Sequence, residues 1–349
     1  MNNMKTRKAK LDIKSGRVNL THGAGGRAMN DLIEVIFKNA FDNDFLAQGN
    51  DQSAFDVGEG RMVMSTDGYV ITPMFFPGGD IGSLAVHGTV NDVALSGAKP
   101  LYLSAGFIIE EGFPLADLKR IVDSMGAASR AAGVPIITGD TKVVNKGMAD
   151  GVFITTAGVG VVPKGLELSG DKARVGDKII VSGTLGDHGV AVMSKRENLS
   201  FEVEIESDSA ALHTLIADMV AGHGAALRCM RDPTRGGLAA TLNELAEQSN
   251  VGMCIREADV PLKPQVVAAC ELLGLDPLNV ANEGKLIAII APEAADDLVA
   301  LMRAHPLGQD AAVIGEVVAD ERNFVRMKTA FGGERMVDWL SGEQLPRIC

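Results

Sequence analysis

Residues 162–183, VPKGLELSGDKARVGDKIIVSG, divide the chain. The stretch opens with a passage rich in Pro, Gly and charge that suits neither helix nor strand. Its polar middle, residues 163–177, is the best domain boundary in the sequence. It closes on Lys178-Ile179-Ile180-Val181, a β-branched run that starts a new strand. Upstream, Met62-Val63-Met64, Tyr102 to Ile109, Val134 to Thr138 and Val152 to Val162 read as strands. Among them Pro114 opens a helix that turns Leu115, Leu118, Ile121, Val122 and Met125 inward. Earlier still, Met29, Leu32, Ile33, Ile36, Phe37 and Ala40 share one helical face. Downstream, helical spacing recurs at Leu212/Leu215/Ile216/Met219, at Leu238/Leu242/Leu245 and at Val266/Val267/Cys270/Leu273. Strands follow at Lys285 to Ile290 and Val313 to Val318. Each half therefore mixes strands and helices, an α/β or α+β class in two domains.

The composition narrows the function. There are 33 Lys+Arg against 45 Asp+Glu, a net charge of -12 that argues against coating nucleic acid. Aromatic residues make up 4%, too few for a single-strand stacking platform. No apolar run approaches the roughly 18 residues of a membrane span. The first 17 residues carry six Lys/Arg and one Asp without an apolar core, so they read as a frayed basic leader and not as a secretory signal. The 40 glycines exceed the usual share and suit a protein whose backbone approaches phosphate closely. Cys229, Cys254, Cys270 and Cys349 contain no CxxC pair, which fits a reducing cytoplasm.

Five aspartates sit beside short apolar runs next to Gly, Thr or Asn: Asp51, Asp67, Asp92, Asp140 and Asp232. Singly, each equally caps a helix or closes a turn. As a set on loop edges they can hold Mg²⁺ together with substrate phosphates. Gly23-Ala24-Gly25-Gly26, between a strand and a helix, offers amides to phosphate, although a plain tight turn explains it as well. Arg235-Gly236-Gly237 is a similar candidate. Lys142 and Glu283 stand at strand ends, where functional groups and ordinary surface charges are both common. His188, between glycines, reads as a turn residue or a pocket liner. Cys270 and Cys254 read as buried structural residues, and Cys229 is open. Cys349 is the sharpest single feature. It ends a tail that, from Asp338, can span up to ~40 Å, and a thiolate there is a reversible covalent handle. An incidental terminal residue is the competing reading.

Together these residues resemble the HypE family of hydrogenase maturation proteins. The resemblance runs from about Val18 to Cys349 through LTHGAGGRAM, STDGYVITPMFFPGGDIG, NDVALSGAKPLYLSAGFIIEEG, TGDTKVV, VSGTLGDHG, RDPTRGG, CELLGLDPLNVANEGKL and the terminal PRIC. The aspartate-bearing loops also fit the wider superfamily of aminoimidazole ribonucleotide synthetase, selenophosphate synthetase and thiamine monophosphate kinase. The terminal PRIC separates the HypE family from these.

The resemblance implies a two-domain PurM-like fold. It comprises a leader over 1–17, an ATP-binding domain over 18–165 whose mixed sheet pairs across a homodimer, a second domain over 166–337, and a mobile tail over 338–349. It implies ATP and Mg²⁺ as cofactors, with Asp67 and Asp92 as metal–nucleotide ligands and Asp51, Asp140 and Asp232 as further nucleotide contacts. It implies that a carbamoyltransferase, HypF, loads a carbamoyl group onto Cys349. ATP-dependent dehydration then yields a thiocyanate, and the cyano group passes to iron on a HypC–HypD complex for [NiFe] hydrogenase. Lys142 and Glu283 match the catalytic positions, as phosphate-charge stabiliser and base or with these roles exchanged. A selenophosphate-synthetase-like phosphotransferase is the competing enzyme, but its reactive residue lies near the N-terminus and no Cys precedes Cys229. A thiol carrier that only binds nucleotide is the competing non-enzyme.

Overall fold

The computed structural model describes residues 11–24, 27–47, 53–199, 205–339 and 347–349. Six strands lie in the first half: β1 (Arg61–Tyr69), β2 (Phe75–Phe76), β3 (Gly79–Asp80), β4 (Lys99–Glu110), β5 (Ile136–Val144) and β6 (Val152–Val162). Four form a mixed sheet in the order β1-β6-β4-β5, with β4 and β5 parallel and the other pairs antiparallel. Side chains alternate between its faces. One face packs on the helices Ile81–Leu95 and Leu115–Ala132. The other leaves Met64 72%, Met62 50% and Ile108 43% exposed.

The helix Leu115–Ala132 buries the five residues its spacing points inward, with Pro114 before it and Gly133, at a φ of 65°, ending it. The helix over residues 27–41 buries Leu32, Ile36, Phe37 and Ala40 and leaves Met29 and Ile33 at the rim, with a π-helical stretch over Ile33–Lys38. The helix Ile81–Leu95 has no counterpart in the periodicity. Twelve of its fifteen residues are buried, so no polar stripe marks it. Its start is set by Asp80, whose carboxylate accepts the amides of Gly82 and Ser83 at 2.8 and 3.1 Å. A Cβ on Gly82 would lie 2.2 Å from the Ile121 carbonyl oxygen, so this contact between the two helices requires glycine.

The second half holds β7 (Lys178–Val181), β8 (Leu227–Arg231), β9 (Gly252–Arg256), β10 (Ile287–Ile290), β11 (Ala312–Val318), β12 (Val325–Lys328) and β13 (Glu334–Met336). They form one sheet in the order β13-β12-β9-β11-β7-β10-β8. All four residues of β10 are buried because helices cover both faces. Ile179, Val181, Ile287 and Ile289 face the helix Gly237–Ser249. Ile180, Ala288 and Ile290 face the helices His213–His223 and Ala295–Ala304. Residues 163–177 connect the two sheets.

Two termini differ from the expectation. Residues 1–10 lie outside the described residues, and residues 11–17 of the expected leader pack on the domain. Leu11 and Ile13 pack on the first core, and Arg17 bridges Pro114. At the other end the final tripeptide is docked, as described below.

Candidate active site

The carboxylates come from separate elements. Asp67 is on β1, Asp92 in the helix Ile81–Leu95, Asp232 just after β8, and Glu283 in the turn before β10. Asp67 and Asp92 are thus on regular elements and not on loop edges. They converge because the helix Ile81–Leu95 lies between the first sheet and the second half. Ser65 Oγ donates to Asp92 Oδ2 at 2.8 Å. Burial raises the Asp92 pKa, and the Asp67 charge adds to this. Asp232 is pushed up to about 7, first by burial and then by Asp92. Glu283, only 4% exposed, is pushed well above the carboxylate range by burial, then by Asp232, Asp208, Asp67 and Asp92. Like charges in a poorly solvated cleft resist ionising together.

Such a cluster of hard oxygen donors, short of positive charge, fits Mg²⁺. Among the described residues no three His, Cys, Asp or Glu side chains form a ready-made cage. Mg²⁺ needs none, since it commonly takes one or two carboxylates and completes its shell with phosphate and water.

Glu283 is held by groups that the motifs did not single out. Asp208 Oδ1 accepts its amide at 3.1 Å, and Lys285 Nζ balances Asp208 Oδ2 at 3.1 Å. A Cβ on Gly284 would sit 1.7 Å from the Asp208 carbonyl oxygen, so only glycine fits after Glu283. Asn282, fully buried, accepts from the Gly186 amide and donates to the Pro233 carbonyl. The NEGK motif contained Asn282, but nothing in the local sequence marked Asp208.

The chain's last residues enter this cleft. The Val70 amide donates to Cys349 O and the Thr72 amide to Arg347 O, both at 3.1 Å, so the tripeptide runs antiparallel to Val70–Thr72. Ile348 is 2% exposed and belongs to the first core. Cys349 is half-buried, and its thiol is pushed up to about 12, first by burial and then by the Glu283 charge, with Arg235 opposing. Residues 347–349, the end of the expected mobile tail, are thus docked in this structure. Burying an Ile side chain contributes about 1.5–3 kcal/mol, which favours the docked end over a solvated one. Residues 340–346 lie outside the described residues.

Lys142 and Asp140 pair with each other on β5, both largely exposed, and the Lys142 bond holds the Asp140 carboxyl below its usual range. Among the described residues no ion pair joins Lys142 to the acidic cluster. The turn at Gly23 crosses β5 closely, since a Cβ there would lie 2.8 Å from the Val143 amide nitrogen. A cleft of about 630 Å³, lined by Met29, Phe37, Phe107 and Thr138 to Thr141, opens beside this pair. Asp51 and Gly25-Gly26 lie outside the described residues. His188 is fully buried at the start of the helix Asp187–Arg196, not at a turn surface. Cys229 and Cys270 are buried, whereas Cys254 is partly exposed; all four thiols are free.

Residues 49–162 match the family model of the AIR synthase related protein, N-terminal domain, and residues 174–328 match that of its C-terminal domain. The carbamoyl dehydratase HypE of Rhizobium leguminosarum bv. viciae is 70% identical over 346 residues, covering 99% of each chain.

The chain belongs to the HypE family.

Solved members of the family share its fold. A crystal structure of the hydrogenase maturation protein HypE in complex with ATP superposes with a TM-score of 0.91 at 49% identity, covering 95% of this chain and 99% of that one. HypE in a crystal structure of a HypE–HypF complex gives a TM-score of 0.78 at 47% identity, covering 88% and 99%. Among the described residues no helix is long and apolar enough to cross a membrane.

Proposed function

We propose that this chain is an ATP-dependent carbamoyl dehydratase acting on its own C-terminus, converting an S-carbamoyl group on Cys349 to a thiocyanate for the cyanide ligand of [NiFe] hydrogenase. The observation that carries the reading is the main-chain docking of the last residues along Val70–Thr72, which brings the Cys349 thiol within reach of the Glu283 charge in the acidic cleft. The family's name as carbamoyl dehydratase and the ATP-bound relative support it.

The chemistry balances. The carbamoyl oxygen attacks the γ-phosphorus of ATP and ADP leaves. Loss of one N–H proton gives an O-phosphorylated imidate. Loss of the second N–H proton expels phosphate and leaves the S–C≡N group. Glu283 suits the proton removal, because it is a carboxylate of raised pKa whose charge reaches the thiol that carries the group. Lys142 suits the developing phosphate charge once it leaves Asp140. Asp67 and Asp92 would hold Mg²⁺, whose charge would offset that of the phosphates. Asp51, Asp140 and Asp232 are the further nucleotide contacts.

A thiol held near a pKa of about 12 is a poor nucleophile. Loading of the carbamoyl group therefore belongs to an undocked tail, with HypF as donor, and handover to HypC–HypD requires release as well. The open face of the first sheet, with Met62, Met64 and Ile108, suits a homodimer, and the free cysteines suit the cytoplasm. Light scattering showing a monomer at micromolar concentration would refute the dimer.

The deciding experiment is the mass of the C-terminal peptide after incubation with HypF, carbamoyl phosphate and ATP. The carbamoyl adduct should appear and then lose one water, and Cys349→Ala should acquire neither mass while keeping its fold. An adduct that never loses water with ATP present would reduce the chain to a thiol carrier.

A further inference from the structure

The helix Asp187–Arg196 belongs to the second half, yet one stripe of it faces the chain terminus. His188, Val192 and Arg196 recur at i, i+4 and i+8 along that stripe. Val192 is fully buried in the same core cluster as Ile348.

The flanking pair grips main chain, not side chain. His188 Nε2 lies 2.8 Å from the Ile348 carbonyl oxygen, and its Nδ1 lies 2.8 Å from Ser207 Oγ. A carbonyl can only accept, so the neutral ring carries its proton on Nε2 and Ser207 donates to Nδ1. Both ring nitrogens are thereby committed to these two bonds. Phe76 packs edge-on against the ring, with centroids 5.4 Å apart. At the far end of the stripe, Arg196 Nη2 donates to Arg347 O at 2.9 Å and to Thr72 O at 2.6 Å. Arg196 Nε adds a bond to Thr72 O at 2.9 Å. Thr72 is the residue whose own amide donates to Arg347 O, so Arg196 locks both sides of one strand-like pair. An outer contact, Arg347 Nη1 to Asp150 Oδ2 at 2.6 Å, is largely solvated.

We infer that His188 and Arg196 are positioning residues for dehydration: they clamp the backbone of Ile348 and Arg347 so that the Cys349 side chain stays in the acidic cleft. The inference rests on the dehydratase reading for its consequence, though not for the clamp itself. Because the clamp bonds the carbonyl oxygens of Ile348 and Arg347, it makes no use of the sulfur that carries the group. Because it reads carbonyl oxygens, its selectivity for sequence lies in the apolar seat of Ile348. Asp150 contributes little, since an exposed ion pair is weakly stabilising.

The test uses the full-length protein with Arg196→Ala, Arg196→Lys and Asp150→Ala, each checked for parent-like thermal unfolding. First, Cys349 is alkylated with iodoacetamide without nucleotide or partner, and the C-terminal peptide is followed by mass. Arg196→Ala should speed alkylation roughly ten- to a hundredfold, the span expected for lost bonds to a charged donor. Arg196→Lys should lie between parent and Ala, and Asp150→Ala should change the rate by no more than about fivefold. Second, after loading by HypF, the single-turnover loss of water should slow in the same order while carbamoyl loading stays at or above the parent rate. Parent-like alkylation in a folded Arg196→Ala protein would overturn the clamp, as would equal loss of loading and dehydration. Should Arg196→Ala unfold, the Arg196→Lys rates decide on the same terms. If the parent itself never loses water, the dehydratase reading fails while the alkylation series still judges the clamp.

Discussion

The side-chain amide of Asn91 donates to the carbonyl oxygen of Glu283 at 3.3 Å, although the two residues are 192 positions apart. The same amide donates to Ala210 O at 2.9 Å, and Asn91 Oδ1 accepts the Leu212 amide at 2.7 Å. One buried side chain therefore ties the helix that carries Asp92 to the segment that carries Glu283, and sets the spacing of the acidic cleft.

Removing Asn91 should cost more than an ordinary surface change. Asn91→Ala leaves one amide and two carbonyls without this partner in a site that is 2% exposed. A loss of about 2–4 kcal/mol is expected in urea unfolding. A change within 0.5 kcal/mol would mean that water replaces the side chain and that it does not join the two halves.

The metal–nucleotide assignment is tested by removing charge at constant shape. Asp67→Asn and Asp92→Asn should each weaken Mg²⁺–ATP binding in calorimetry. Both should still permit loading of Cys349, because that step belongs to the partner. Parent-like binding in both variants would put the site elsewhere.

Glu283→Gln is isosteric but is not a base. It should accept the carbamoyl group, bind ATP and then stall, with dehydration slowed about 10²–10⁴-fold. Lys142→Ala should also stall, with weaker phosphoryl transfer. The mass of the tail peptide separates loading from loss of water. Parent-like dehydration by Glu283→Gln would remove it from the mechanism.

The crowding of carboxylates has a signature in pH. Asp232 has its pKa raised in the folded state to about 7. Between the ordinary carboxylate value and about 7 the folded protein keeps a proton that the unfolded chain has lost, so this group makes stability fall as pH rises through that window. Asp232→Asn has no such proton. The thermal stability of Asp232→Asn relative to parent should therefore grow from pH 4 to 7 and level off above. Asp232 is partly open to solvent, so the gain is smaller than for a fully buried acid. Adding Mg²⁺ should shrink the difference by giving the carboxylates a counter-charge. A difference that is flat with pH would mean that the cluster is not under electrostatic stress.

Local pattern made much of this protein legible. The helix Leu115–Ala132 and the strands around Val152 to Val162 follow from apolar spacing, because each has one face in the core and one outside it. The candidate site residues were visible in the same way, as Asp, Glu, Lys and Cys in glycine-rich settings. The helix Ile81–Leu95 was not visible, since burial on all sides erases the stripe. Its absence from the reading made Asp92 look like a loop residue.

Sequence alone determined the family and the two-part α/β plan and singled out Cys349 as the candidate thiol, because these rest on local motifs and periodicity. Only the tertiary structure decided where that thiol rests. Docking depends on Val70, Thr72, His188 and Arg196, which are neighbours of Ile348 in space and more than 150 positions away in the chain. The tertiary structure likewise decided the pKa of Glu283, raised by like charges that act on it strongly only once folding has removed the water between them.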